Sequence, residues 1–219
     1  RQGSNLGRGA ARARGMEAAR HEYVLCCDAT NVLSPTFAAD AVRWLEQEKV
    51  AAVFGRISQR PGGSAVIRWR GRHLFRITPK GIPPGPVNRR GNLATYGALV
   101  RRSAVLAVGN YDARLRHTED AELGQRLLNA GWDVVMDPSL EAISIAQNSL
   151  SQVLERYWRW NAGKDESVNL LSYLRTIWFS IRVMALADLR ERDVASALIS
   201  VYSPHFQFWR SVVRKRKAV

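Results

Sequence analysis

Cysteine is scarce in this chain. Of its 219 residues only two are cysteine, and they are the neighbours Cys26 and Cys27. Adjacent cysteines cannot bridge to one another without severe strain, and the chain offers no third cysteine as a partner. This excludes a disulfide-stapled scaffold and makes a reducing compartment the expected setting. Stability has to come from a packed core, and a chain of 219 residues with 46% hydrophobic content is long enough to build one.

Acidic residues are missing from a long central stretch. Residues 49–111 contain twelve Lys or Arg and no Asp or Glu, whereas the acids collect in residues 112–193. The whole chain has a formal net charge of +14. Such a charge favours an anionic partner, which can be the phosphates of a nucleotide, a nucleic acid or an anionic membrane surface.

Uninterrupted apolar runs of membrane-span length are also missing. Residues 168–189 are strongly apolar but contain Arg175 and Arg182, and residues 194–209 are broken by Pro204. Neither segment is therefore expected to be a clean span. The first is expected either to lie as an amphipathic helix on a membrane interface or to pack on the domain.

Helical and extended patterns alternate through the first part of the chain. Residues 6–20 have small side chains at helical spacing, residues 23–27 form the short apolar run typical of a buried parallel strand, and residues 50–54 indicate another strand. This alternation predicts a doubly wound α/β sheet in residues 1–148, followed by a helical segment in residues 149–219. On the first helix, the small residues expected to pack on the sheet are Ala11, Gly15, Ala18 and Ala19, and the arginines expected to face solvent are Arg8, Arg12 and Arg14.

Residues 56–92 interrupt the alternation with a basic and aromatic insertion. Arginines alternate with Trp69 and Phe75 between two Gly/Pro-rich stretches. Such a pattern can stack on single-stranded nucleic acid, lie on a membrane interface, line a cleft for an anionic substrate, or form a solvated loop with scattered anchors.

The stretch 117–128 is the most plausible place for chemistry. It puts Glu119 and Asp120 in the first turn of a helix whose leucines repeat at core-facing spacing. Thr118 can cap this helix, and carboxylates favour a helix N-terminus, so a purely structural explanation exists. A third carboxylate, Asp28, follows the apolar run 23–27, and the carboxyl ends of strands are where open α/β sheets bind ligands.

Four short motifs occur in order along the chain. They resemble motifs of the family 2 inverting glycosyltransferases, including its processive, cellulose synthase-like branch, over residues 5–163. Residues 97–102 and 108–112 also look like that family's acceptor-side strand and the turn after it. The four motifs are Asn5-Leu6-Gly7, Asp28-Ala29-Thr30-Asn31, Thr118-Glu119-Asp120 and Arg156-Tyr157-Trp158-Arg159-Trp160.

The resemblance implies a GT-A fold that moves a sugar from a nucleotide diphosphate sugar to a hydroxyl of a glycan or lipid-linked acceptor, with inversion. It implies polysaccharide biosynthesis at the cytoplasmic face of a membrane and no nucleic-acid partner. The family's first βαβ portion, which contacts the nucleotide base and ribose, would precede Arg1. We therefore expect this chain, which opens without Met or a secretory signal, to be a fragment that is inactive alone.

The resemblance also assigns roles to residues. Asp120 would be the general base, which requires a carboxylate within hydrogen-bond reach of the acceptor hydroxyl, and Glu119 would support it. Asp28 would hold Mg²⁺ or Mn²⁺ against the donor diphosphate, since these cations prefer oxygen ligands. The residues that would bind the donor or its diphosphate are Asn5, Gly7, Asp28, Arg156, Arg159 and Trp160.

Three positions depart from the family pattern. Thr30 replaces an acid in the metal motif, Arg156 replaces Gln, and Ala13 stands where many relatives have Asn. The first departure makes the cation depend more heavily on Asp28 or on the diphosphate, and the second leaves processive transfer open. Two other functions also fit the charge and the C-terminal segment, namely a nucleic-acid-binding protein and a non-catalytic membrane-surface module.

Overall fold

The structure is a computed structural model that describes residues 6–60, 62–77, 86–115, 117–161 and 169–217, with the backbone alone at 159–161 and 213–217. The chain divides into two compact units, residues 1–59 with 83–145 and residues 60–82 with 146–219. The segment 60–82 thus joins the C-terminal helices although it lies between strands of the first unit in sequence.

A mixed five-stranded sheet organises the described part of the first unit. Its order is β1-β4-β3-β5-β2, where β3 and β5 are parallel and the other neighbours are antiparallel. The mixed α/β sheet expected from the sequence is therefore present. The strands are β1 (Tyr23–Cys27), β2 (Asn31–Leu33), β3 (Val50–Gln59), β4 (Gly97–Arg101) and β5 (Asp133–Ser144).

Helices flank this sheet and make up most of the second unit. Those of the first unit are α1 (Arg8–Ala18), α2 (Phe37–Leu45), α4 (Arg102–Ala107) and α5 (Glu119–Asn129). Those of the second unit are α3 (Ala65–His73), α6 (Leu150–Asn161), α7 (Leu170–Phe179), α8 (Leu186–Arg190) and α9 (Val194–Lys217), with a π-helical turn, Ser180–Ala185, joining α7 to α8.

Strand β1 has the predicted bounds, but its position and pairing in the sheet differ from the prediction. It lies at the edge of the described sheet and pairs antiparallel with β4. Leu25 in its centre is 45% exposed. A short apolar run can form either a buried parallel strand or an antiparallel edge strand. Its composition alone therefore could not decide between the two.

Helix α1 buries a different face from the one predicted. Its buried residues include Gly9, Ala13 and Met16, whereas Ala11 and Gly15 are exposed. A Cβ added at Gly9 would lie 2.2 Å from the backbone oxygen of Asp112. The helix therefore presses its Gly9 side against the loop before α5, which turns the predicted small-residue face outward.

Helix α5 is confirmed, but its predicted cap is not. Leu123 and Leu127 are fully buried, and Gly131, with a φ of 88°, follows the helix end. Thr118 has a left-handed φ of 63°, and its hydroxyl donates to the carbonyl of His117 instead of capping the helix. The acidic first turn is thus presented without a side-chain cap.

Strand β5 continues through Pro138, although proline cannot donate a hydrogen bond to the sheet. Its pairing with β3 shifts register between Phe54 and Arg56, so that Phe54 pairs with Met136 and Arg56 pairs with Glu141. Pro138 lies in the residues of β5 between these two pairs, where the regular pairing with β3 is interrupted and proline removes no hydrogen bond of the ladder.

The central part of the basic and aromatic insertion, helix α3, is largely buried inside the second unit. Trp69 and Arg70 are 0% and 1% exposed. The indole of Trp69 donates to Ser200 Oγ at 2.8 Å, and Arg72 and His73 both contact the buried carboxylate of Asp188. Trp69 is therefore unavailable for stacking on a nucleic acid, which contradicts that interpretation of the insertion.

The apolar segment after residue 168 forms one continuous helix. By length and composition alone, Leu170–Arg190 is long and apolar enough to cross a membrane, despite Arg175 and Arg182. Only 17% of its apolar window is buried in the protein. This makes the helix a candidate span by length and composition only, and the expectation that it is not a clean span stays a prediction.

The second unit is expected to lose stability in acid. Arg68 Nε donates to Asp193 Oδ2 at 2.7 Å, and this bond lowers the pKa of Asp193 well below its ordinary value, despite an opposing contribution from burial. The stabilisation is complete above the unfolded pKa of about 3.9 and declines as the pH falls further. Thermal midpoints measured across pH should drop in this range, and Asp193→Asn should flatten that drop. An equally steep drop in the variant would contradict the assignment.

Candidate active site

Asp28 lies where β1 ends, in a turn that is tied to the approach of β4. Its backbone oxygen accepts from the Asn31 amide at 2.9 Å, and the Asn31 side chain donates to the carbonyl of Tyr96 at 2.9 Å. The Asp28 side chain is 41% exposed. The carboxylate is therefore held at a strand end while remaining open to solvent.

Arg12 connects this carboxylate to the start of α5. Its Nη2 lies 3.1 Å from Asp28 Oδ1, and its Nη1 donates to Glu119 Oε1. The Arg12 side chain is only 15% exposed. The expectation that it faces solvent was wrong, because two carboxylates from distant parts of the sequence converge on it.

Glu119 is completely buried although it is charged. Besides Arg12, its Oε1 lies 3.5 Å from Arg8 Nε, whereas its Oε2 has no hydrogen-bond partner among the described residues. A buried charge needs compensation, and the two arginines of α1 supply it. A carboxylate can interact with the helix dipole while it is exposed to solvent, so the dipole alone does not explain why Glu119 is fully buried.

Asp120 is fixed by donors from its own surroundings. Its Oδ2 accepts from both the amide and the hydroxyl of Thr95, each at 3.2 Å, and its Oδ1 accepts from the Ala121 amide at 2.9 Å. A carboxylate has about four acceptor positions, so three donors leave room for one more. Asp120 is partly exposed, which lets a ligand hydroxyl reach it.

The other predicted donor residues are described only in part. Gly7 precedes α1 with a φ of 96°, a backbone conformation that favours glycine, whereas Asn5 lies outside the described residues. Arg156 is on α6 in the second unit. Burial and the neighbouring charge of Arg156 lower the pKa of Arg70. Arg159 and Trp160 continue the α6 backbone, but their side chains lie outside the described residues.

No protein-only metal centre is present among the described residues, since no three His, Cys, Asp or Glu side chains group together there. Asp28 still fits a cation that is shared with a ligand. Its Oδ1 faces Arg12, and its Oδ2 has no partner among the described side chains. Mg²⁺ in particular is commonly held by one or two carboxylates together with substrate phosphates.

Arg12 and Thr95 contact the site carboxylates, although no sequence motif predicted either residue. Arg12 is one of several arginines in α1, and Thr95 precedes β4 without any motif of its own. The one feature that distinguishes Arg12 is its position directly before the buried Ala13, which places it at the border of the packed face of α1. Nothing local distinguishes Thr95, because its role depends on a carboxylate 25 residues away.

Comparison with known sequences decides the family. The sequence profile described as glycosyltransferase like family 2 matches residues 1–163. The chain belongs to this family. Its α/β sheet and flanking helices are accordingly the GT-A fold that the motifs implied.

Family 2 relatives extend well beyond this chain. It is 33% identical over 79 residues to the succinoglycan biosynthesis protein ExoA of Rhizobium meliloti strain 1021, an alignment that spans 35% of this chain and 24% of ExoA. The chain thus spans about a quarter of that curated relative.

Solved structures also resemble the chain. A mannosyltransferase of Pyrobaculum calidifontis in complex with GDP-Man and Mn²⁺ matches 97% of this chain and 54% of its own, at 12% identity and a TM-score of 0.47. GalNAc-T7 with UDP, GalNAc and Mn²⁺ matches 88% of this chain and 42% of its own, at 15% identity and a TM-score of 0.51. At this identity the second likeness shows the fold alone.

Proposed function

We propose that the protein transfers a sugar from a nucleotide diphosphate sugar to a hydroxyl, with inversion, and that Asp120 accepts the hydroxyl proton. One observation carries this proposal. Three donors fix the Asp120 carboxylate and leave an acceptor position open, next to Glu119, which Arg12 joins to Asp28. General-base catalysis needs such an oriented carboxylate within reach of the reacting hydroxyl.

The donor diphosphate is proposed to meet Asp28 through Mg²⁺ or Mn²⁺. The open Oδ2 of Asp28 would supply one cation ligand, and the diphosphate oxygens would supply others. When bound, the cation neutralises charge on the departing diphosphate. The chain's own part is to hold Asp28 at the strand end. The proposed diphosphate and donor contacts otherwise remain Asn5, Gly7, Arg156, Arg159 and Trp160.

The acceptor is proposed to be a glycan or a lipid-linked glycan in polysaccharide biosynthesis. The match to a succinoglycan biosynthesis protein supports this class. A panel of nucleotide sugars, tested with Mn²⁺ on the complete gene product that contains these residues, should identify one donor that releases its nucleoside diphosphate. Failure of every donor, together with salt-sensitive binding to RNA or DNA, would contradict the proposal.

We further propose that residues 1–148 carry the chemistry and that residues 149–219 lie on the anionic, cytoplasmic face of a membrane. Leu170, Leu174 and Trp178 are each more than half exposed on one helix. Arg182 lies near the middle of that helix, where an arginine costs about 2.5–3.5 kcal/mol inside a bilayer, and Arg175 adds a second charge closer to its start. An interfacial position avoids that cost while burying the apolar side chains in lipid.

Vesicle binding should therefore depend on the exposed apolar side chains. Leu174→Ala combined with Trp178→Ala should weaken sedimentation with vesicles that contain anionic phosphatidylglycerol at least tenfold, because both side chains contribute apolar area. The thermal midpoint should barely change, since neither residue is buried. Unchanged vesicle binding would contradict the proposed orientation.

A further inference from the structure

We propose that Arg12 is a positioning residue for sugar transfer. Its side chain fixes the carboxylate of Asp28, which faces the donor, relative to the first turn of α5, which carries the base Asp120. The inference rests on the proposed function. Neither the motif pattern nor the residue roles derived from it assign anything to Arg12. What assigns the role is the pair of contacts made by its guanidinium.

The two contacts use different nitrogens of one planar group. Nη2 lies 3.1 Å from Asp28 Oδ1, at the end of β1, and Nη1 donates to Glu119 Oε1, at the first residue of α5. A guanidinium presents its donors in a rigid fork, so two carboxylates bound to it are held at a set separation. Lysine has a single nitrogen on a flexible stem and cannot impose the same separation.

The environment makes this bridge stronger than a surface ion pair. Glu119 is 0% exposed and Arg12 is 15% exposed. Without Arg12, Glu119 would keep only Arg8, whose Nε is 3.5 Å away and whose side chain is 52% exposed. Ion pairs between solvent-exposed groups contribute little, so Arg8 is a poor substitute.

Asp120 is connected to the Arg12 bridge through the backbone of α5. It follows Glu119 directly in the first turn of α5, and none of its own hydrogen bonds reaches Asp28. The Arg12 side chain therefore provides a direct side-chain link between the donor end of the site and the turn that carries the base. A second link runs through the Thr95–Tyr96 backbone, since Thr95 holds Asp120 and Tyr96 holds Asn31.

Arg12→Lys tests the positioning role, with Arg14→Lys as the matched control. Arg14 is an exposed arginine on the same helix. In the complete gene product, Arg12→Lys should lower kcat by about 100-fold, because a small misplacement of catalytic groups has an effect of this size. The donor KM should change less than threefold, and Arg14→Lys should leave both constants unchanged.

A second measurement does not require turnover. Thermal midpoints of Asp28→Asn, Glu119→Gln and the double variant should show non-additive shifts when Arg12 is present and additive shifts in an Arg12→Ala background. Additive shifts in both backgrounds would overturn the bridge. Added guanidinium ion should also restore part of the lost kcat of Arg12→Ala, whereas methylammonium should not.

The outcomes separate this inference from the proposed function. An unchanged kcat in Arg12→Lys, or a raised donor KM alone, would overturn the positioning role while the transferase activity stands. If the unmodified protein turns over no donor, the proposed function fails and the catalytic role of Arg12 fails with it. The thermal shifts would still show whether Arg12 couples Asp28 to Glu119.

Discussion

Asp120→Asn should reduce sugar transfer by about 100- to 10,000-fold, the usual contribution of a general base. The amide has the same shape, and its oxygen can still accept from Thr95, but its NH2 group then faces the Ala121 amide and cannot accept from it. The amide also cannot take a proton from the acceptor hydroxyl. The loss of activity should therefore appear in kcat with little change in donor KM, and the lost Ala121 bond should cost roughly 0.5–1.5 kcal/mol of stability.

Glu122→Gln is the matched control for this experiment. Glu122 lies in the same acidic first turn and is partly exposed, but it pairs with Arg126 on its own helix. Turnover by this variant should stay within about twofold of the unmodified protein, since an exposed pair of this kind contributes only about 0.3–0.5 kcal/mol. Full activity in Asp120→Asn would eliminate Asp120 as the base, and equal losses in both variants would indicate a general effect of charge on α5.

Trp69→Ala should destabilise the second unit by about 3–5 kcal/mol, the usual range for removing a buried aromatic side chain. The ring is 0% exposed, its Nε1 donates to Ser200 at 2.8 Å, and its centroid lies 5.3 Å from that of Tyr157. Truncation leaves a cavity and removes the indole donor from Ser200. Chemical denaturation of the purified protein measures this loss.

Trp178→Ala provides the contrast, because Trp178 is 61% exposed. Its free energy of unfolding should change by no more than about 0.5 kcal/mol. A Trp69→Ala variant that keeps its stability but loses binding to a single-stranded oligonucleotide would reverse the assignment of Trp69 to the core. The basic insertion would then regain its interpretation as a nucleic-acid surface.

Local sequence patterns predicted the positions of several helices and strands well, but predicted less well which segments pack against them. The bounds 23–27 and the leucine face of α5 follow from short-range spacing, which sequence displays directly. The edge position of β1 and the buried face of α1 depend on which strand or loop packs against them. The packing of Gly9 on Asp112 joins segments about a hundred residues apart, and no local period contains that information.

The same limit applies to the site. Asp28, Glu119 and Asp120 were recognisable because they belong to short motifs whose order along the chain resembles that of the family. Arg12 was not, because its importance comes from carboxylates 16 and 107 residues away that no spacing rule brings together. In the insertion, Arg68 and Arg72 pair with Asp193 and Asp188, which lie more than a hundred residues further along, and no local pattern contains that information.

The interleaving of α3 with the C-terminal helices has a consequence for how the protein can be divided. The family match ends at residue 163, yet α3, inside that match, satisfies its arginines and tryptophan with Asp188, Asp193 and Ser200. A gene truncated at the family boundary would therefore encode Arg68, Trp69 and Arg72 without these ion-pair and hydrogen-bond partners. The C-terminal helices of the second unit therefore cannot be removed or exchanged as an independent module. They have to be expressed together with the strands that flank α3 in sequence.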